Sequence, residues 1–157
     1  MAVDRMSRTN PSRAGGGELV IPALGGLWAA LAVPADVILR IVTGIALVAH
    51  GWGKVINPFG AVDMVERIGF VPGVLWSPLL SFSEFGTGVL LILGFLTRPA
   101  AIVALIILLV TIYFHWIVMG QGYMGSEKSI LWSAMLLAII ARGGGAMSVD
   151  RAIGREV

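Results

Sequence analysis

The fold is decided by residues 37–56, which read VILRIVTGIALVAHGWGKVI. A helix of about 20 residues is roughly 30 Å long, which matches the hydrocarbon core of a bilayer. A stripe of mostly polar and small residues recurs at spacings of three and four, a period that places it on one helical face. It comprises Arg40, Thr43, Gly44, Leu47, His50, Gly51 and Lys54. The stretch therefore predicts a membrane-spanning helix with one polar face.

The composition of the whole chain supports a membrane location. Of its 157 residues, 57% are hydrophobic and only 13% are charged, and the mean hydropathy is +0.92. Soluble domains carry about 25% charged residues, so water cannot be the solvent for most of this surface. Soluble enzymes, nucleic-acid-binding modules and disordered chains are excluded. The chain has no cysteine, which excludes disulfides, thiol redox chemistry and thiolate metal sites.

Three further apolar stretches predict three more spans, at about residues 75–96, 99–119 and 126–142. The second span repeats the pattern of the first, with Glu84, Thr87 and Gly88 on one face. Glycines let helices approach closely, and polar atoms on such faces turn toward neighbouring helices rather than lipid. The expected fold class is therefore all-α: a polytopic membrane four-helix bundle, with an extra N-terminal interfacial segment.

The connections between these spans differ in character. Residues 57–73 have one apolar and one polar helical face, which predicts a short helix on the membrane surface. Thr97-Arg98-Pro99 predicts a tight antiparallel turn between the second and third spans. Asp36 and Ser126 are good N-cap residues, and they are expected to begin the first and last spans.

The two ends of the chain are predicted to lie outside the transmembrane domain, residues 36–142. Residues 19–35 are apolar but too short for a comfortable span, and their proline and glycines weaken a helix, so an interfacial segment is expected. Residues 1–18 are polar and predict a flexible cytoplasmic tail. Residues 143–157 follow the last span and predict a second cytoplasmic tail.

The positions of the basic residues predict the orientation. With four spans both termini lie on the same side, together with seven arginines, against three basic residues on the other side. The positive-inside rule then places both termini in the cytoplasm, for a protein of the bacterial cytoplasmic (inner) membrane. The seven are Arg5, Arg8, Arg13, Arg98, Arg142, Arg151 and Arg155, and the three are Lys54, Arg67 and Lys128.

Polar residues inside the spans are candidates for function, because burying one in lipid costs about 2.5 to 3.5 kcal/mol. His50 and His115 lie about 6 Å inside the same edge of the bundle, and Glu84 lies about 10 Å inside it. His50 and Glu84 are the candidate catalytic residues, since imidazole and carboxylate groups can exchange protons. Candidate cofactor-contacting residues are Lys54, His115, Glu127, Trp116 and Tyr113. No metal ligand is assigned.

Structural explanations for the same residues stay open at this point. Trp52, Trp76 and Trp116 fit an interfacial aromatic belt, and Lys54 and Lys128 fit side chains that reach the membrane surface. Arg40 could pair with Asp36 one turn earlier or reach the cytoplasmic face. His115 could simply hydrogen-bond between helices. Glu84 could form a structural ion pair with Lys54 or His50.

Four motifs occur in order along the chain. They read AHGWGK at residues 49–54, SEFGTG at 83–88, LILGFLTR at 91–98 and SVDR at 148–151. Together with Arg40 and the Glu127 that opens the fourth span, these motifs resemble the DoxX family of small four-helix membrane proteins. The resemblance extends over about residues 36–154.

The resemblance implies membership of a group associated with redox membrane complexes and quinone-linked oxidoreductases. His50, Lys54, Glu84 and Arg98 stand at the family's characteristic positions. The chain departs from the family pattern in two ways. Its N-terminal segment is longer than usual. It also lacks the cysteine motif of thiol-handling relatives, so thiol chemistry is not expected.

Three functional hypotheses follow. The first is a subunit of a redox or electron-transfer complex that contacts quinone or quinol, with electrons supplied by other membrane subunits because the chain has no dinucleotide fingerprint. The second is a structural or assembly subunit of a membrane complex without chemistry of its own. The third is a haem- or metal-binding protein that uses His50 and His115, with Glu84 and Glu127 as further ligands of a metal.

Overall fold

Helices make up most of the chain in a computed structural model that describes residues 19–155. The tail predicted at residues 1–18 lies outside this range. A short 3-10 turn at Pro22–Leu24 leads into the first helix, and a π-helical turn at Phe114–Val118 continues the fourth. The helices are α1 (Gly25–Ile56), α2 (Val62–Arg67), α3 (Gly73–Leu93), α4 (Thr97–Tyr113), α5 (Gly122–Arg142) and α6 (Val149–Ala152).

Within the described residues, four helical stretches are long and apolar enough to cross a membrane: Pro22–Ile56, Gly73–Leu93, Thr97–Val118 and Gly122–Arg142. The all-α polytopic fold predicted from the sequence is thereby confirmed, and the protein is embedded in a lipid bilayer. The α1 helix packs mainly on α3, and α4 packs mainly on α5, while α3 also meets α4. The predicted surface helix between the first two spans is present as α2.

The α1 helix begins earlier than predicted. Residues 25–35 form its first turns rather than a separate segment, and Asp36 lies inside the helix instead of capping it. The α1 helix continues through Pro34, which is exposed. The predicted boundary at residue 36 is wrong, whereas a location of residues 19–35 at the membrane interface stays a prediction.

The other helix ends also differ from the sequence prediction. The connection between α3 and α4 consists of Gly94, Phe95 and Leu96, and Thr97-Arg98-Pro99 is the first turn of α4, where proline is tolerated. Gly94 has a φ of 67° and ends α3 in the left-handed conformation that glycine favours. The α5 helix starts at Gly122, so Ser126 is buried inside it rather than at its N-cap.

The α1 and α3 helices touch backbone to backbone. A Cβ atom added to Gly44 would lie 2.7 Å from the carbonyl oxygen of Gly88, and one added to Gly88 would lie 2.8 Å from the carbonyl oxygen of Gly44. Further along, a Cβ on Gly51 would lie 2.9 Å from the backbone nitrogen of Phe85. The close approach expected from the glycines of the two stripes is thus confirmed, and it fixes the spacing of the polar side chains beside them.

Residues 143–155 do not form a loose tail. Asp150, at the start of α6, accepts hydrogen bonds from the backbone N–H groups of Leu96 and Thr97 at 2.7 and 2.9 Å, and from the Thr97 hydroxyl at 2.8 Å. The guanidinium of Arg40 donates to the carbonyl oxygens of Leu91 at 3.1 Å and Met147 at 2.5 Å. These contacts hold the segment predicted as a tail against the helices, while its cytoplasmic location stays a prediction. We call Arg40, Thr97 and Asp150 the clasp.

The clasp is buried, with Arg40 2% exposed and Asp150 4% exposed. Burial alone raises the pKa of the Asp150 carboxyl, but the hydrogen bonds from Thr97 and Leu96 and the charge of Arg40 lower it by more, so its pKa lies below the ordinary value of 3.8. The predicted pairing of Arg40 with Asp36 is wrong. Asp36 instead pairs with Arg142, the last residue of α5.

Candidate ligand-binding site

A cavity of about 590 Å³ lies between the helices at the opposite end of the bundle, which carries α2. All four long helices and α2 contribute to its wall, and most of the wall is apolar. Cavities of this size hold small organic molecules in many proteins. We call this end the α2 end, and the other the clasp end.

The polar part of the wall contains a partly buried ion pair. Lys54 Nζ of α1 donates to Glu84 Oε2 of α3, and Glu84 is only 4% exposed. The two side chains meet because the glycine contact at Gly51 brings their helices together. A carboxylate in a membrane-spanning helix requires a partner of this kind. Glu84 therefore has the partner that the structural explanation anticipated, and the pair faces the cavity.

His50 lies one helical turn before Lys54 and also lines the cavity. Its ring meets the ring of Trp132 edge to face, with centroids 4.8 Å apart and planes at 84°. No hydrogen bond joins His50 to Glu84 among the described residues: Lys54 donates to the carboxylate, and the imidazole packs on Trp132. The two residues nevertheless share one cavity, so a common ligand could contact both.

His115 contributes to the same wall from the π-helical turn after α4. Its Nδ1 lies 2.8 Å from the side-chain oxygen of Gln121. An amide oxygen can only accept, so Nδ1 carries the hydrogen in this contact, which leaves Nε2 of the neutral ring as an acceptor. Turns of the π type are frequent at functional sites. His50, Glu84 and His115 thus line one cavity from three spans, whereas Glu127, expected to join them from the fourth, is not part of the wall.

Three other predicted site residues lie outside the cavity wall: Glu127, Trp116 and Tyr113. Trp116 and Tyr113 are exposed, and the Trp116 ring meets that of Tyr123 edge to face with centroids 6.4 Å apart. Such side chains suit the interfacial belt. Glu127 is absent from the wall, and its neighbour Lys128 lines the cavity instead.

The α5 wall contains residues that the sequence did not single out for the site. Lys128 was assigned to the membrane surface, and Ser129 and Trp132 were assigned no role, yet all three line the cavity. Their spacing of one, three and four residues places them on neighbouring parts of one helical face. This periodicity is the sequence signal by which Trp132 and Lys128 can be identified together as residues of the site.

The metal hypothesis lacks its ligand set in the described structure. Among residues 19–155, no group of three or more histidine, aspartate or glutamate side chains is arranged to hold a metal ion. The haem hypothesis needs only His50 and His115, and it stays a prediction.

Fold and cavity together define a class: a small polytopic four-helix membrane protein with a mostly apolar cavity that is charged at one end. The chain belongs to the DoxX family, whose sequence profile matches residues 35–116. That range contains His50, Lys54, Glu84 and His115, whereas Lys128, Ser129 and Trp132 lie beyond it.

The chain is similar to inner membrane protein YqjF of Escherichia coli (strain K12). The two are 33% identical over 121 residues, which are 76% of this chain and 92% of that protein. No solved structure matches the chain. The family, this relative and the four apolar helices support a location in a bacterial inner membrane.

Proposed function

We propose that this protein binds a quinone or quinol in the cavity and acts as a subunit of a redox complex in the bacterial inner membrane, with both termini in the cytoplasm. The observation that carries the proposal is the cavity itself: a long apolar space in a membrane protein that ends on a partly buried ion pair and a histidine. A lipid-soluble ring with polar oxygens and an apolar tail has this shape and polarity.

The shape of the cavity supports a ligand that lies along the helices. The part of its wall formed by α4 and the following turn runs from His115 to Val103, which is about 18 Å at 1.5 Å per residue. Val103, Ile106 and Leu79 line it and are also exposed on the outside of the bundle. A gap between α3 and α4 at these residues would let an apolar tail extend into lipid while the ring stays at the charged end.

The side chains at the charged end suit the chemistry of a quinone ring. The Lys54 ammonium group can donate a hydrogen bond to a ring oxygen while Glu84 holds the ammonium group in place. His50 can take up or release the proton that accompanies reduction or oxidation of the ring. Trp132 provides a flat wall beside His50. The chain contains no cysteine and no dinucleotide fingerprint, so we assign the supply of electrons to a partner subunit.

Quenching of tryptophan fluorescence tests the binding step. A short-chain quinone is added to the protein in lipid nanodiscs, with Trp132→Phe as the test variant and Trp116→Phe as the matched control outside the cavity. We expect saturable quenching in the wild type that is largely retained in the control and strongly reduced in the test variant. Quenching that never saturates, or that falls equally in both variants, would reject the cavity as the site.

A structural or assembly role is the second candidate, and one observation favours it. Asp36 pairs with the last residue of α5, so the preceding residues of α1 extend past the helix that it accompanies. Trp28 and Leu31 in this extension are exposed. Glu84→Gln separates the two candidates: loss of quinone-dependent turnover with normal assembly supports the binding role, whereas lost assembly with unchanged specific activity supports the structural one.

A further inference from the structure

The charges in the cavity wall do not cancel. Three side chains of the wall are formally charged: Lys54, Glu84 and Lys128. Lys54 and Glu84 neutralise each other in their ion pair. In the described part of the chain no ion pair involves Lys128. The wall therefore carries one positive charge without a counter-charge.

Several uncharged hydrogen-bonding groups of the wall also make no hydrogen bond among residues 19–155, Ser129 and His50 among them. Ser129 is 9% exposed, and its backbone carbonyl accepts a hydrogen bond from the Ser133 hydroxyl while its own hydroxyl makes none. The His50 ring packs edge to face on Trp132. These groups are therefore available to a ligand.

From these two observations we propose that the cavity selects a ring bearing an ionised hydroxyl group, that is, a hydroxyquinone in its anionic form. Lys128 and Ser129 hold the ionised oxygen, while the Lys54–Glu84 pair and His50 face the neutral ring oxygens. This inference rests on the proposed function, because it names the class of quinone that the same site takes. Lys128 is an exposed residue of a mostly apolar wall, and its positive charge favours an anionic ligand over a neutral one of similar shape.

The aromatic wall decides between two sources of an anionic oxygen. A fatty acid also presents a negative charge on an apolar body. Trp132, Trp76 and Phe114 line the cavity, and flat aromatic side chains pack best on another ring. We therefore assign the site to a ring compound rather than an acyl chain.

The test compares two ligands that differ by one methyl group, which removes the ionisable hydroxyl and with it the charge. They are 2-hydroxy-1,4-naphthoquinone, whose hydroxyl is ionised at neutral pH, and its 2-methoxy derivative, which is neutral. Because the chain has no cysteine, neither compound can form a thiol adduct with it. Affinities are measured at pH 7.5 by saturable tryptophan quenching of the full chain in nanodiscs of neutral lipid.

We expect the wild type to bind the hydroxy compound at least tenfold more tightly than the methoxy compound. Lys128→Gln should abolish this preference, and Lys128→Arg should retain it. Arg67→Gln is the matched control, since it removes a positive charge from the same end of the bundle but outside the cavity wall. It should leave the preference unchanged within twofold.

The outcomes separate this inference from the function on which it rests. Equal affinities in the wild type, or a preference that survives in Lys128→Gln, would overturn the inference while leaving quinone binding in place. If neither compound shows saturable binding, the proposed function fails as well. Displacement of the hydroxy compound by dodecanoate at an equal or lower concentration would overturn the assignment to a ring compound.

Discussion

The two ends of the bundle use the same kinds of residue in opposite ways. At the clasp end, the protein itself supplies partners for the Asp150 carboxylate and for both terminal nitrogens of Arg40. At the α2 end, Lys54 and Glu84 pair with each other but border an open cavity, and His50 and Lys128 face it. A charged residue in a membrane helix is therefore structural where the protein satisfies it and available to a ligand where it does not.

The largest effect is expected from breaking the clasp. Asp150→Ala removes the acceptor of three hydrogen bonds from Leu96 and Thr97, and also the negative charge that offsets the buried Arg40, so the free energy of unfolding should fall by about 3 to 5 kcal/mol. The melting temperature in detergent, followed by circular dichroism, measures the change. Asp150→Asn keeps a hydrogen-bond acceptor, so its free energy of unfolding should fall by less than that of Asp150→Ala. A melting temperature of Asp150→Ala that equals the wild-type value would show that the clasp does not stabilise the fold.

Breaking the ion pair at the α2 end should have a smaller effect on stability and a larger one on binding. Lys54→Met leaves the Glu84 carboxylate without a cation, and we expect a loss of about 2 kcal/mol, less than at the clasp because Lys54 is partly exposed. Quinone affinity should fall at least tenfold. The double variant Lys54→Met/Glu84→Gln should recover stability but not affinity. Recovery of both would contradict a binding role for the pair.

The contact between α1 and α3 can be tested with two glycines of one helix. Gly88→Ala places a methyl group against the backbone of α1 and should cost about 1 to 2 kcal/mol. Gly86→Ala is the control, because a Cβ there meets nothing within 4 Å, so it should be neutral or gain up to about 1 kcal/mol of helix propensity. Equal melting temperatures for the two variants would refute the close contact.

Acid should weaken the clasp end selectively. The pKa of Asp150 is lower in the folded protein than its ordinary value, so the contribution of its ionised form is present above that value and is lost as the pH falls through the lowered pKa. The difference in melting temperature between the wild type and Asp150→Asn should be constant from pH 7 to about pH 5 and should shrink below about pH 4. A difference that grows on acidification would contradict this assignment.

The sequence predicted the helices well because apolar length and polar periodicity are local properties. It misplaced the starts of α1 and α5 because the prediction relied on side-chain caps at Asp36 and Ser126. Neither helix has a side-chain cap, since the N-cap residues Leu24 and Gln121 make no capping hydrogen bond through their side chains. The apolar run before Asp36 could therefore continue as helix, and the glycines before Ser126 did not delay the start of α5.

The site was partly predictable for the same reason. His50, Lys54 and Glu84 could be predicted as site residues because they lie on the polar stripes of two helices. Their depth in the membrane could be predicted from the rise per residue. The pairing within the site does not, because it depends on the rotation of the helices about their axes. This rotation brought Lys54 rather than His50 to Glu84, and Lys128 rather than Glu127 to the cavity. The clasp joins residues more than 50 positions apart, for which a single sequence offers no local signal.

The backbone contact at Gly44 and Gly88 also determines how the cavity can exchange its contents. At Gly44 and Gly88 the two main chains touch directly, so no side chain at that point can rearrange to let the helices separate, and α1 and α3 form a stationary wall. Any widening must then come from α4 and α5, which pack on each other and are joined to α3 through the short connection at Gly94–Leu96. We therefore expect exchange to be a one-sided motion, in which this second pair of helices swings away from the first.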